Sequence, residues 1–195
     1  MAMQHTPLLM SKIIDRGAKV APNEEIVTAT ENGVRRQTYK ETRDRAHQLA
    51  HALSEAGIAV GDRIGTFMWN GSRHLEAYQA CAGMGAVLHT LNIRLSEKDL
   101  EYIINHAEDQ IIIVDADILP LLEKLEGKMP TVRQVVIATE EGFEGWSTQL
   151  PNAVDYEDFI KDKPTHYEWP DIDENSPCLL YTSPSTRDAL ESRIP

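Results

Sequence analysis

His47 and His51 stand four residues apart in HQLAH, a spacing that puts two imidazoles on one helical face and can clamp a metal ion. The residues between them are Gln-Leu-Ala, without the glutamate a zinc hydrolase carries there, and no third ligand is evident. His74, His89 and His106 have no obvious carboxylate or cysteine partner in sequence and read as hydrogen-bonded structural histidines. Gly83-Met84-Gly85-Ala86 has part of the glycine spacing of a dinucleotide loop. It joins a helix to a strand, however, where such a loop joins a strand to a helix, and the third glycine is missing, so it reads as a tight turn. Cys81, on an Ala-rich helix face, reads as a small buried side chain. Tyr181-Thr182-Ser183 opens as a phosphate loop might, but Pro184-Ser185-Thr186-Arg187 follows where glycines are needed to let backbone N–H groups close on a phosphate. Residue chemistry alone therefore assigns no catalytic, cofactor-binding or metal-ligating residue. It stops at an α/β domain.

The elements that would position these residues follow from periodicity. Leu9, Ile13 and Ile14 predict a short amphipathic helix over 8–18, stopped near Gly17 and Pro22. Two β-rich runs in 25–39 flank Asn32-Gly33, a type I′ turn signal, and predict a hairpin. Thr38 and Glu41 form a capping box ahead of Thr42, Ala46, Leu49, Leu53 and Ala56, which repeat at helical spacing to Gly57. Strands are predicted over 63–69, 86–92, 111–114 and 132–138, and helices over 72–84, 96–107 and through Leu119, Leu122 and Leu125 to Gly127. Ser96 and Asp99 read as a second capping box, with Leu95 and Leu100 placed as a hydrophobic staple. The run IIIV at 111–114 is that of a strand covered on both faces. Strands alternating with helices imply a mainly parallel sheet flanked by helices. Residues 139–177 lose this rhythm and read as a long surface excursion, and no internal repeat is present.

Bulk composition narrows the function classes. The 195 residues are 42% hydrophobic and 26% charged, ordinary for a globular protein, with a net charge of −12. That charge argues against nucleic acid or an anionic membrane as a partner, since either needs clustered Lys and Arg. Acidic runs at 140–145, 155–159 and 171–174 read as solvated faces. Cys81 and Cys178 make no redox or metal spacing and suggest a reducing compartment. The N-terminal stretch lacks the apolar core of a signal peptide, and no window suits a transmembrane segment, so a cytoplasmic location is expected.

The stretch 68–115 carries Trp69-Asn70, then His74-Leu75-Glu76, Gly85-Ala86-Val87 and Asn92-Ile93-Arg94-Leu95. This resembles the adenylate-forming (AMP-binding) superfamily, in particular its medium- and long-chain fatty acyl-CoA synthetases, and TYKETRDRAHQLAHALSEAGIAVGDRIG at 38–65 is similar to the family's early helix and next strand. The resemblance covers about residues 7–177. It implies an incomplete N-terminal domain of the adenylate-forming fold, an α/β domain with an early β-hairpin. It also implies a ligase that activates a fatty acid with ATP and Mg2+ and passes the acyl group to CoA, and it leaves a homodimer open. The family's phosphate loop reads Tyr-Thr-Ser-Gly-Thr-Thr-Gly; here at most Tyr181-Thr182-Ser183 match it.

CLLYTSPSTRD at 178–188 instead resembles the translation of a transposase-type sequencing adaptor. Residues 1–177 are thus expected to be a partial AMP-binding domain, inactive and binding none of these cofactors well, with 178–195 a non-native tail. Two other readings stand beside this one. They are an adenylate-former acting on aryl or short-chain acids, and a non-catalytic α/β binding or dimerisation module.

Overall fold

The computed structural model describes residues 6–30, 33–140, 143 and 145–181. Helix α1 (Met10–Val20) packs on the helices that follow it. It starts two residues later than its apolar spacing predicts, and Ile13 is exposed while Leu9, Ile14 and Ala18 are buried. Strands β1 (Glu25–Thr30) and β2 (Gly33–Thr38) form the expected antiparallel hairpin, in register from Glu25↔Thr38 to Thr30↔Gly33. Gly33 is therefore the first residue of β2, and Asn32, the other half of the turn signal, lies outside the described residues.

Helix α2 (Tyr39–Glu55) begins on a complete capping box. The Thr38 hydroxyl accepts from the Glu41 N–H at 3.1 Å, and the Glu41 carboxylate accepts from the Thr38 N–H at 2.7 Å. The chain then runs through β3 (Arg63–Phe67), α3 (Ser72–Met84), β4 (Val87–Thr90), α4 (Glu97–Ala107), β5 (Ile111–Asp115), α5 (Leu119–Glu123) and β6 (Gln134–Ala138). At α4 only half of the expected box forms. Asp99 is one methylene shorter than the Glu of a full box, and its carboxylate meets the Ser96 hydroxyl at 2.6 Å.

Residues 139–177 are not the plain surface excursion expected from their sequence. They hold β7 (Val154–Asp155) and α6 (Tyr156–Ile160), with Leu150, Tyr156 and Ile160 buried. A two-residue strand and a five-residue helix are too short to show a period. The acidic run at 155–159 is likewise more than a solvated face, since its Tyr156 is fully buried. Strand β8 (Leu179–Tyr181) closes the described chain.

The large sheet is wholly parallel, in the order β7-β6-β5-β3-β4-β8. One face is covered by α2, α3 and α6, through Leu49, Leu53, Cys81, Met84, Tyr156 and Ile160. The other is covered by α4 and α5, through Leu100, Ile104, Leu119 and Leu122. Ile111–Val114 of β5 are fully buried between the layers, as their unbroken apolar run requires. Among the described residues, no helix is long and apolar enough to cross a membrane.

Candidate functional site

Strands β3 and β5 are neighbours, yet the chain leaves them in opposite directions. From β3 it crosses by α3 on one face to β4; from β5 it crosses by α5 on the other face to β6. Such a reversal opens a crevice beyond the carboxyl ends of the strands, the place where ligands of open α/β sheets collect. A cavity of about 640 Å3 lies there, between Met68–His74 after β3, Asp115–Asp117 after β5 and Glu140 after β6, with Thr28–Thr30 of the hairpin along one side. A second cleft of about 520 Å3 lies against it, lined by Trp69, Tyr78, Thr90–Arg94, Leu179 and Tyr181.

Trp69 stands between the two. Its backbone N–H donates to Asp115 at 2.6 Å and its indole N–H to Asp117 at 2.8 Å, which fixes a half-exposed aromatic plane over the crevice. Burial pushes the Asp115 carboxyl up to about 7, and the nearby Asp117 and Glu140 charges add to the rise. Asp115 is therefore part-protonated near neutral pH. Arg73, at the start of α3, is buried and bonds to Glu140 and Glu157, both at 3.0 Å.

Behind Arg73 lies a buried polar network joining the hairpin, α2, α3 and α6. Glu157 takes Arg45 through two bonds, at 2.8 and 2.9 Å. Glu76, fully buried, accepts from Arg45 at 2.8 Å, Gln37 at 2.8 Å and the Tyr156 hydroxyl at 2.7 Å. Burial opposes the Arg45 charge, but the bonds to Glu157 and Glu76 outweigh it and hold its proton more tightly than usual. Burial also opposes charge on Glu157, and the two arginines reverse that effect, leaving its pKa lowered. The network fixes the wall of the crevice that Arg73 forms.

The residues singled out by sequence fall as follows. His47 is buried, 3.0 Å from Asp15 through Nε2, and its Nδ1 accepts from the Tyr167 N–H at 2.7 Å. His51 Nε2 donates to the His166 carbonyl at 2.8 Å. The two rings are thus engaged separately, and among the described residues no group of three potential metal ligands exists. His74 bonds the Thr66 hydroxyl at 3.0 Å and the Trp69 carbonyl at 3.2 Å, and burial lowers its pKa. Thr66 lies buried in mid-strand, while His74, itself largely buried, lines both clefts.

His89 does have a carboxylate partner, Asp109 at 2.8 Å, in a pair buried under the sheet. Burial raises the Asp109 pKa, and His89 works against the rise. His106 stacks on Tyr102, with ring centroids 5.4 Å apart. Cys81 is fully buried, and burial pushes its thiol up to about 12; Cys178 is exposed.

Of the 83–86 segment, Gly83 and Met84 are the last residues of α3, and the expected turn lies at Gly85. Gly85 caps α3 at φ +82°, where a β-carbon would strain the backbone. At Gly83 a β-carbon would sit 2.6 Å from the Trp169 ring, so the space a phosphate would need is already filled. Tyr181 ends β8, and Thr182 and Ser183 lie outside the described residues. The arrangement thus supplies a binding crevice with a rigid aromatic wall. Asp115 and Asp117, two apart just past a buried strand, are the sequence signal that could have located it.

A family model described as AMP-binding enzyme matches residues 14–186. The medium-chain-fatty-acid–CoA ligase of Ectopseudomonas oleovorans is 37% identical over 186 residues, 94% of this chain and 34% of that protein. The long-chain-fatty-acid–CoA ligase of Thermus thermophilus is 43% identical over 145 residues, 74% of this chain and 27% of its own. A 3-methylmercaptopropionyl-CoA ligase of Ruegeria lacuscaerulensis is 39% identical over 186 residues, 94% of this chain and 34% of its own. In fold, the chain is similar to the crystal structure of the anthranilate CoA ligase AuaEII in complex with anthranoyl-AMP. The TM-score is 0.78 at 22% identity, over 94% of this chain and 33% of that one. The chain spans about a third of the length of the curated relatives it matches.

Proposed function

Taking as premise that this chain belongs to the AMP-binding enzyme family, we propose that it is part of an ATP-dependent fatty acid–CoA ligase. Such an enzyme forms an acyl-adenylate and then a thioester with CoA, using Mg2+. The observation that carries the reading is the 37% identity to a medium-chain-fatty-acid–CoA ligase over 94% of this chain. The alternative, an adenylate-former for shorter or aryl acids, is supported by the 39% identity to a 3-methylmercaptopropionyl-CoA ligase.

The 195 residues by themselves are proposed to be inactive. The glycine turn at 83–86 is filled by Trp169 and Ile172 and cannot cradle phosphates. Residues 1–177 are proposed to be the partial domain and 178–195 a tail foreign to it, in a cytoplasmic protein whose partners in the whole enzyme are fatty acid, ATP and CoA. Two measurements test this. The purified chain should give no fatty-acid-dependent ATP–pyrophosphate exchange above blank, and clear exchange would overturn the claim of inactivity. A chimera with residues 14–177 in place of the matching segment of the Ectopseudomonas ligase should keep medium-chain-acid-dependent AMP release. A chimera that folds yet makes AMP only with aryl or short acids would favour the alternative.

A further inference from the structure

Helix α1 divides its surface in a way that its packing does not explain. Leu9, Ser11, Ile14 and Ala18 are buried against the body. The exposed residues of the helix are Met10, Lys12, Ile13, Arg16, Lys19 and Val20. At a helical period these fall into two adjoining stripes, Lys12-Arg16-Lys19 and Met10-Ile13-Val20. Leu8, 76% exposed, extends the apolar stripe just ahead of the helix. Asp15, the one acid in α1, stands at the edge of the basic stripe with its side chain 41% exposed, and its carboxylate is engaged by His47 at 3.0 Å and the Trp169 indole at 3.1 Å. The outward arc therefore carries three cations and three apolar side chains against one part-exposed carboxylate at its edge, in a chain whose net charge is −12. At the N-terminal end Glu174 accepts the Leu8 N–H at 2.7 Å, and past the C-terminal end Glu24 and Glu25 are exposed, so acids flank the arc at both ends.

We propose that this face of α1 docks the protein on an anionic lipid bilayer. Lys12, Arg16 and Lys19 would meet headgroup charges, and Leu8, Met10, Ile13 and Val20 would enter the boundary beneath them. A basic stripe beside an apolar one is the pattern of a helix lying in the membrane interface plane. The chain's overall negative charge does not forbid this, because charges more than about 10 Å away are largely screened at 0.1 M salt. Charge complementarity selects the occupant. A second copy of α1 would bring the same basic stripe to the contact, whereas anionic headgroups neutralise it. The surface is a convex helix and offers no groove for a peptide.

The test is flotation of the 195-residue chain through a density gradient with vesicles. One set is phosphatidylcholine containing phosphatidylglycerol; the other is phosphatidylcholine alone. The chain should float with the anionic vesicles, stay down with the neutral ones and be released by high salt. Each basic residue contributes about fivefold in partitioning. Combining Lys12→Glu, Arg16→Glu and Lys19→Glu should therefore lower the bound fraction by at least about a hundredfold. Ile13→Asp with Val20→Asp should also abolish flotation, and both variants should melt with the parent because every changed side chain is exposed. Equal binding to neutral vesicles, no flotation, or variants that float like the parent would overturn the proposal. So would a dimer in light scattering that Ile13→Asp dissolves, since that result gives the face to a second copy.

Discussion

Replacing Glu76 with alanine tests whether the buried network holds the helices of one layer to the hairpin. Glu76 accepts three hydrogen bonds at 2.7–2.8 Å and is fully buried. Its loss would leave the Tyr156 hydroxyl without that acceptor. Arg45 would keep Glu157, and Gln37 would keep the Thr42 hydroxyl at 2.9 Å. Removing one partner from a buried ionic pair costs about 3–5 kcal/mol, because the remaining polar groups stay desolvated. Glu76→Gln keeps the shape and one acceptor oxygen but sets an amide N–H2 among donors, so it should cost about half as much. Domains of this kind are stable by about 5–15 kcal/mol, so the alanine variant should lose a large share of its stability. In urea titrations, where m is about 1–3 kcal/mol/M, the midpoint should fall by about 1–5 M. A double-mutant cycle with Tyr156→Phe should show coupling of at least about 1 kcal/mol. A midpoint within error of the parent, or additive effects of the two substitutions, would refute the reasoning.

Asp115→Asn should stabilise the chain at high pH. The folded pKa of Asp115 is raised from 3.8 to about 7, so its contribution is complete below the unfolded value and is lost as pH rises through 7. The variant, which cannot ionise, should gain about 1–3 kcal/mol over the parent at pH 8 and little at pH 5, measured by thermal melts. An advantage that is the same at both pH values would disprove the shift. For the tail, melts of residues 1–177 and 1–195 should agree within about 0.5 kcal/mol. Leu179, Leu180 and Tyr181 keep 41%, 41% and 61% of their surface exposed while pairing with β4, so little burial depends on them. A melting temperature several degrees lower for the shorter chain would make β8 part of the native fold.

The large elements were legible because each is long enough to repeat. The capping box at Thr38–Glu41 and the Ile111–Val114 run appear in the structure as their sequence implies, and Leu95 and Leu100 pack on the same apolar cluster. What escaped was short or distant. α6 has five residues, too few for a period, and its acidic run conceals Tyr156 and the anchor Glu157. His89 and Asp109 are 20 positions apart and meet only because β4 and the start of β5 are folded together. The crevice needs the reversal between β3 and β5, which depends on strand order, and no local pattern states strand order. Whole-chain charge also hid the basic arc of α1, since a sum over 195 residues cannot show where the cations gather.

The segment from Tyr156 to Trp169 returns across α2, bringing Glu157 to Arg45, Tyr167 to His47 and Trp169 to Asp15. The first of these contacts links residues 112 positions apart. A ribosome adds about 5–20 residues per second, so α2 emerges roughly 6–22 s before its ionic partner exists. During that interval Arg45 and Glu76 have no Glu157 or Tyr156 to meet, and the apolar side of α2 lacks the cover of Tyr156 and Ile160. Folding of this layer is therefore timed by translation rather than by the helix itself, which can form in about a microsecond. A nascent chain stalled before Tyr156 would leave uncovered the part of this layer that Tyr156 and Ile160 fill, a natural holding site for a chaperone, and would close it once α6 cleared the ribosome.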